Sequence, residues 1–284
     1  MDGQRSLSPP ASAGTSRRRR IRAAALSLLA VAAPFAPPAQ AASKGNFHVG
    51  CGFVKSAKID PIVFPRRVGL SHLHYFFGNR STNARSTRLS MMRASTLCSF
   101  KADTGGYWTP ALVSPSGAVI RPVRLTVYYR SGSGPGRVSA PPGGLKMIAG
   151  GNTHNLNIAG YKCGGDGNPT SSVPIDCGSQ LLKGAVIFPS CWDGRRLDSA
   201  NHRAHLAYPS GKGCPVGHRV RIPKIIFNIT YGIHNGRGYY LVSDHQMGMM
   251  HGMSLHADFW NTWDQKALVS KVNVCINGGQ TCDL

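Results

Sequence analysis

The chain has 284 residues, 42% of them hydrophobic, with 33 Lys and Arg against 11 acidic residues. Every acidic residue is an Asp, which excludes any site that depends on glutamate. The formal net charge of +22 favours anionic polymers as partners, although a need for solubility would also explain it.

Residues 1–41 have the composition of a secretory signal peptide. The basic run Arg17–Arg20 precedes the Ala-rich stretch Ala23–Ala36, and Ala39 and Ala41 are the small residues that a signal peptidase reads. Removing the six Arg and one Asp of this segment from the 33 basic and 11 acidic residues leaves a net charge of +17. No later segment reaches the roughly 18 uninterrupted apolar residues that a spanning helix needs. We therefore expect a secreted protein that is not transmembrane.

The remaining residues, 42–284, are predicted to form a single disulfide-bonded, mainly β domain. All eight cysteines lie in this part and none has CxxC spacing, which favours disulfides over a metal–thiolate site. Local pairs such as Cys191 with Cys214 or Cys275 with Cys282 are one arrangement, but spacing does not fix the connectivity. Short apolar segments between Gly and Pro turns favour a β-sandwich or jelly-roll-like architecture with long loops.

The first His-rich stretch, Ser71–Asn79, places His72 and His74 one residue apart. On a strand, this spacing points both imidazoles to one face, where they can bind one metal or one substrate. The alternative is that one histidine caps backbone groups while the aromatic residues Tyr75–Phe77 fill the core.

Further strands are predicted by alternating apolar and polar residues and by β-branched and aromatic side chains. They cover Arg124–Arg130, Gly184–Phe188, Val220–Tyr231 and Tyr239–Ser243. Pro223 lies inside the third of these, so it marks an edge or a bulge there. Helical spacing is seen only near the end of the chain, where it predicts a short helix over about Asp264–Val274.

The second stretch, Cys191–Pro209, contains Asp198, His202 and His205. On a helix or helical turn these side chains are neighbours. A carboxylate that holds an imidazole in one tautomer suits general acid–base catalysis, and it also suits the outer shell of a metal-bound histidine. Asp193, in a Trp-Asp-Gly turn, is a second candidate acid. The alternative is an Asp cap followed by a polar helix face.

The third stretch, His251–Asp264, repeats the alternation, because His256 and Asp258 would share one strand face. Trp260 and Trp263 offer the aromatic surfaces on which sugars are commonly held. Asp264 either binds substrate with them or caps the C-terminal helix.

Five segments, in this order, resemble the motifs of the DUF1996 family. They are DPIVFP (Asp60–Pro65), SHLHYFFGN (Ser71–Asn79), YWTP (Tyr107–Pro110), FPSCWDG with LDS, HRAH and AYP (Phe188–Pro209), and HADFWNTWD (His256–Asp264). This domain of unknown function occurs in secreted fungal proteins, often beside WSC carbohydrate-binding modules, and in actinobacterial secreted proteins. The resemblance implies an exported, single-domain protein of polysaccharide or cell-wall biology, and it supplies no reaction. Thr262 replaces the glycine of the family pattern, which puts the positions of Trp263 and Asp264 in doubt.

The leading hypothesis is a secreted hydrolase of cell-wall or biomass polysaccharide that uses Asp and His in acid–base roles. The candidate catalytic residues are Asp193, Asp198, His202, His256 and Asp258. Asp198 with Asp258 is the expected carboxylate pair for a glycosidase mechanism. The candidate substrate-binding residues are His72, His74, Tyr107, Trp108, Trp192, His205, Trp263 and Asp264.

Three alternatives stay open. The first is noncatalytic binding of an anionic wall polymer or glycan. The second is a divalent metal site for metal-assisted hydrolysis or metal capture, with ligands from His72, His74, His202, His205 and His256. The third is a polysaccharide lyase, in which a basic side chain neutralises a uronate. We expect a monomer, no cofactor beyond a divalent metal, and no nucleic-acid partner.

Overall fold

The computed structural model describes residues 45–132, 136–211 and 213–284. The predicted signal peptide, residues 1–41, lies outside the described residues. The strands are β1 (Asn46–Ala57), β2 (His74–Gly78), β3 (Gly106–Pro110), β4 (Leu112–Val113), β5 (Pro122–Arg130), β6 (Lys146–Gly150), β7 (Ala159–Cys163), β8 (Leu182–Ile187), β9 (Cys191–Trp192), β10 (Leu206–Ala207), β11 (Val220–Arg221), β12 (Lys224–Tyr231), β13 (Tyr240–Leu241), β14 (His256–Trp260) and β15 (Thr281–Asp283). The helices are α1 (Arg88–Met92), α2 (Gln265–Lys271) and a π-helix (Val272–Asn277).

Ten strands form one sheet in the order β6-β14-β3-β2-β1-β5-β12-β8-β7, with β15 parallel to β1 and the other pairs antiparallel. The sheet is nearly closed. Its two edge strands approach each other, since a Cβ built on Gly150 of β6 would lie 3.4 Å from Ala159 Cβ of β7. Two small sheets, β10-β9-β11 and β13-β4, complete the fold. The prediction of a mainly β, disulfide-bonded protein with a short C-terminal helix is confirmed.

The main core lies on one face of this sheet. In β2, Tyr75 and Phe77 point into that core, and in β14 Phe259 does the same. Because neighbouring residues of a strand face opposite sides, His74 and His256 point the other way. We call this opposite face of β2, β3, β14 and β6 the site face.

The site face carries its own apolar cluster. Phe76, Trp108 and Trp260 belong to it, together with Ile59 and Ile62 from the chain that follows β1. The segments after β1 and β2 therefore cover the site face and bury most of its polar side chains. This second layer positions the candidate site described below.

Of the four strand predictions, two are confirmed and one is wrong, while Tyr239–Ser243 is a strand only at Tyr240–Leu241 (β13). Arg124–Arg130 lies within β5, and most of Gly184–Phe188 lies within β8. Val220–Tyr231 is not a single strand, because it divides at Pro223 into β11 and β12, which belong to different sheets. Proline has no N–H to donate to a neighbouring strand, so the pairing ends there.

The predicted C-terminal helix is confirmed as α2, which continues into the π-helix. Asp264 is its N-cap and accepts a hydrogen bond from the Ala267 N–H at 2.9 Å. Such a cap satisfies one of the free N–H groups of the first turn. Within the described residues, no helix is both long and apolar enough to cross a membrane.

All eight cysteines are in disulfides. The bonds join Cys51 to Cys98, Cys163 to Cys177, Cys191 to Cys214, and Cys275 to Cys282. The two local pairs named from the sequence are among them. Four disulfides are typical of proteins that mature in an oxidising compartment.

Candidate functional site

Three histidines from distant parts of the chain meet on the site face. His72 immediately precedes β2, His74 begins β2, and His256 begins β14. The His72 and His74 rings are 4.3 Å apart between centroids, and the His72 and His256 rings are 5.0 Å apart. One ring nitrogen of each lies within 4.8 Å of the others. The pattern of two histidines one residue apart does bring both imidazoles together.

Each of these imidazoles is fixed by a hydrogen bond at Nδ1. His74 Nδ1 donates to the Ile59 carbonyl at 3.0 Å, and His256 Nδ1 donates to the Ser254 carbonyl at 2.8 Å. His72 Nδ1 is 2.9 Å from Gln246 Oε1. Carbonyl and amide oxygens only accept, so Nδ1 carries the proton in each neutral ring and Nε2 keeps a free lone pair.

Two of these Nε2 atoms lie close together, and each of the three rings contributes a nitrogen to one cluster. His72 Nε2 and His256 Nε2 are 3.2 Å apart, and the buried His74 Nε2 has no hydrogen-bond partner within the described part of the chain. Two nitrogens bound to a tetrahedral Zn²⁺ at about 2.0–2.1 Å lie about 3.3 Å from each other. A metal ion of this kind would satisfy all three lone pairs, and the backbone carbonyls would orient its ligands.

Two buried carboxyl groups adjoin His74. Asp60, His74 and Asp258 also place one ligand atom each within 4.8 Å of the others. Asp60 accepts the N–H groups of Ile62 and Val63, each at 2.9 Å. Asp258 Oδ2 is buried and has no partner among the described residues. The carboxylate close to Asp258 is thus Asp60, whereas sequence reasoning paired Asp258 with Asp198.

Burial determines the charge of these groups. It lowers the pKa of His256 to about 3, and it lowers the pKa of His74 well below its usual value. Burial also raises the pKa of Asp258 well above its usual value, and the neighbouring Asp60 raises it further. A divalent cation bound by the three neutral imidazoles would favour the ionised form of both carboxyl groups and would neutralise their two negative charges.

The second stretch lies along the edge of the same face. Between β9 and β10 it consists of turns, bends and irregular chain, without a helix. His202 Nδ1 donates to Asp198 at 2.8 Å, although His202 has a positive φ of 56°. Asp198 also accepts Lys146 Nζ at 3.1 Å, and Lys146 lies 4.9 Å above the Trp260 ring. The hydrogen bonds from His202 and Lys146 outweigh burial and lower the pKa of Asp198.

Arg203 connects this stretch to the histidines. Its guanidinium donates to the carbonyls of Ile148 and Gly150 at 3.2 and 3.3 Å. In the sheet register, Ile148 is opposite Asp258 and Gly150 is opposite His256. All three stretches therefore converge on the site face, with the second stretch at its β6 edge.

Several predicted site residues have other partners. Asp193 forms an ion pair with Arg196 at 2.6 Å. Burial alone would raise the pKa of Asp193, but its hydrogen bonds and the charge of Arg196 outweigh burial and lower this pKa to about 2. The Trp192 indole donates to the Arg196 carbonyl. Both nitrogens of the buried His205 are used, by Ser199 Oγ at 2.9 Å and by the Lys146 carbonyl at 2.7 Å. His205 is therefore not free to bind a metal in this arrangement.

The aromatic candidates divide between the two faces. Trp108 lies on the site face, where its Nε1 and that of Trp260 are buried without a partner in the described residues. Tyr107 and Trp263 are fully buried on the core side. There Trp263 Nε1 donates to the Tyr107 hydroxyl, and that hydroxyl donates to Asp103 at 2.8 Å.

Four residues near the histidines are not among the site residues predicted from the sequence: Asp60, Gln246, Lys146 and Arg203. Asp60 begins the DPIVFP motif and Arg203 lies inside HRAH, so their positions in these motifs could have identified both as candidate site residues. Lys146 and Gln246 have no such signal, because only the fold brings them near the histidines. The cysteines contribute no thiolate, since all eight are in disulfides, and a metal-capture function is therefore not supported.

Comparison with known proteins identifies the family of the chain. A family model described as a domain of unknown function, DUF1996, matches residues 60–263. The matched range includes His72, His74, His256 and both neighbouring Asp residues. No curated protein and no solved structure matches the chain.

Proposed function

The chain belongs to the DUF1996 family of domains of unknown function, and from this premise we propose that it is a secreted, metal-dependent hydrolase of an extracellular polysaccharide. His72, His74 and His256 would hold the metal. Asp60 and Asp258 would be further ligands or the groups that accept a proton.

One observation carries this proposal: His72, His74 and His256 each have Nδ1 hydrogen-bonded to an oxygen and place a ring nitrogen within 4.8 Å of the others, and the buried His74 Nε2 has no partner among the described residues. An interior usually pairs its polar groups, because an unpaired buried group costs about 1–3 kcal/mol. His74 Nε2 and Asp258 Oδ2 are unpaired acceptors, and Trp108 Nε1 and Trp260 Nε1 are unpaired donors on the same face. Such a concentration of unpaired groups favours a binding site over a purely structural role.

The residues suit metal-assisted hydrolysis. A metal ion held by three histidines lowers the pKa of a bound water towards neutrality. A carboxylate beside it, Asp258 or Asp60, would accept the proton of that water and later return it to the leaving group. His202, oriented by Asp198, would serve as a second proton-transfer group at the edge of the site.

The polysaccharide substrate is supported by charge and compartment. Without residues 1–41 the chain carries a formal net charge of +17, and such a charge attracts anionic polymers over long range. Four disulfides and the predicted signal peptide fit an extracellular protein.

A second candidate function is glycoside hydrolysis without a metal. The Asp60 and Asp258 carboxyl groups place one oxygen each within 4.8 Å of the other. Carboxyl groups roughly 5–5.5 Å apart are typical of retaining glycosidases, which use one as a nucleophile and one as an acid–base.

The test is polysaccharide hydrolysis by the mature protein, followed as new reducing ends on a panel of acidic and neutral polymers. We expect turnover that is lost on dialysis against EDTA and restored by a divalent metal. His256→Ala should abolish it, and Asp258→Asn should lower it about 10²- to 10⁴-fold. His234→Ala, which changes an exposed histidine outside the cluster, is the matched control.

Two results would contradict the proposal. Turnover that persists without metal but is lost in Asp60→Asn would support the two-carboxylate mechanism instead. Binding of polymer with no product on any substrate, by protein with its metal bound, would indicate a binding protein.

A further inference from the structure

A cavity of about 290 Å³ adjoins the histidine cluster. Its lining consists of Gly150, Asn152, His154, Asn155, Ile158, Arg203 and Tyr208. Gly150 is the register partner of His256, so the cavity begins one strand away from the candidate metal ligands. Its volume is near the lower end of small-molecule sites and suits a single sugar ring.

The cavity is positively charged. Arg203 is exposed at its edge, and none of the described residues that line it is acidic. The guanidinium uses long hydrogen bonds of 3.2 and 3.3 Å to two backbone carbonyls. A guanidinium has five N–H donors in a planar fork, which fits a carboxylate in bidentate fashion.

We propose that this cavity binds a hexuronate unit, the carboxylate-bearing sugar of an acidic polysaccharide, with Arg203 as the carboxylate partner. The inference rests on the proposed function, because it names the substrate class of the same site.

The other lining residues offer an apolar surface for the face of a sugar ring and polar groups for its hydroxyls. The Tyr208 hydroxyl is already used, since it donates to the Ile187 carbonyl at 2.8 Å, so its ring remains as an apolar wall. Ile158 extends this apolar surface. Asn152 and Asn155 each accept one backbone N–H through Oδ1 and keep amide donors for sugar hydroxyls. An apolar wall with a few polar groups is the usual composition of a sugar site.

The test measures binding by calorimetry to tetragalacturonate, tetraglucuronate and tetramannuronate, to fully methyl-esterified tetragalacturonate, and to inorganic phosphate. We expect at least one hexuronate to bind, methyl esterification to weaken tetragalacturonate binding where it occurs, and phosphate not to compete. Arg203→Gln should weaken hexuronate binding about tenfold or more, because a charged hydrogen-bonding pair is lost. Arg203→Lys should retain part of the affinity, since it keeps the charge but not the fork.

Arg195→Gln is the matched control, because it removes one exposed positive charge from the same segment but not from the cavity lining. Equal weakening by Arg195→Gln and Arg203→Gln would overturn the proposal and indicate nonspecific attraction. Phosphate that competes with the hexuronate would overturn it in favour of a general anion site, and no binding of any hexuronate would overturn it directly. Metal binding is measured on the same proteins. Retained metal without hexuronate binding contradicts only this inference, whereas hexuronate binding without metal contradicts only the metal-dependent function.

Discussion

At the scale of single residues, the site face keeps polar groups that its packing does not satisfy. Asp258 is 1% exposed, and its Oδ2 lacks a partner within the described residues. Asp244 is a useful contrast, since it is 5% exposed and its carboxylate accepts from Leu241, Gly252 and Ser254. One carboxyl group therefore costs folding free energy, whereas the other contributes to it.

This contrast gives a stability prediction for metal-free protein. Asp258→Leu should raise the free energy of unfolding by about 1–3 kcal/mol, because it removes an unsatisfied buried polar group. Asp244→Leu should lower the free energy of unfolding, because it leaves several N–H groups unpaired. Urea denaturation in EDTA measures both. A loss of stability in Asp258→Leu as large as that in Asp244→Leu would show that Asp258 has a structural role.

Asp193 gives a prediction for pH dependence. Hydrogen bonds and the Arg196 charge outweigh burial and lower the pKa of Asp193 to about 2, below the value of about 3.9 in an unfolded chain. The ionised carboxylate therefore stabilises the fold above about pH 4, and this contribution is lost as the pH falls through about 2. Asp193→Asn should lower the free energy of unfolding by about 1–2 kcal/mol at pH 7, a figure reduced because the partner Arg196 is exposed to solvent. Urea denaturation of the unaltered protein and of Asp193→Asn at both pH values measures this difference. If their free energies of unfolding differ by the same amount at pH 7 and at pH 2, the ion pair is not the cause.

At the scale of elements, the loop between β13 and β14 holds His72 in place. Gln246 lies in this loop and is hydrogen-bonded to His72 Nδ1. Asp244 fixes both ends of the loop through Leu241 on one side and Gly252 and Ser254 on the other. The orientation of one candidate ligand thus depends on a carboxylate that does not touch it.

Loosening this loop should weaken metal binding. Gln246→Ala removes the partner of His72 Nδ1, and loss of such a partner typically costs about 10- to 100-fold in metal affinity. Competition with a chromogenic chelator measures the change, and Gln180→Ala is a control for an exposed glutamine elsewhere. Unchanged affinity in Gln246→Ala would mean that His72 is not a ligand or is held by other contacts.

Local pattern predicted some elements of the site and missed others. The alternation of His256 and Asp258 is a property of a strand, so it was readable from the sequence. His72 and His74 also come together, although His72 lies just before β2 and not on it. The helical turn expected around His202 is absent, because turns with a positive φ at His202 replace it. The hydrogen bond from His202 to Asp198 nevertheless forms, since a tight turn also brings residues four positions apart together.

At the scale of the whole molecule, the order of strands in the sheet determines which distant residues meet at the candidate site, and this order could not be predicted from the sequence. β2 and β14 are separated by nearly two hundred residues, yet only β3 lies between them in the sheet. Asp60 reaches His74 because the chain after β1 folds back over the site face. Contacts between residues so far apart in the sequence leave no local pattern. The sequence therefore predicted that Asp258 pairs with Asp198, and only the fold shows that its carboxylate neighbour is Asp60.

The net positive charge should affect binding of an acidic polysaccharide but not binding of the metal ion. Raising the ionic strength from about 0.01 to 1 M shortens the Debye length from about 30 to 3 Å, which screens exposed charges far more than buried ones. Affinity for an acidic polysaccharide should therefore fall steeply with salt, while metal affinity should change little. Binding of a neutral dextran is the control. Salt-independent binding of the acidic polymer would show that the net charge has no part in it.

The most direct test of the proposed metal site is the metal content of protein that lacks residues 1–41, measured by mass spectrometry after loading with a divalent metal and removal of the excess. We predict one tightly bound ion per chain, lost in His72→Ala and His256→Ala and retained in His234→Ala. No stoichiometric ion in the unaltered protein, or equal binding by all three variants, would contradict a metal site formed by His72, His74 and His256.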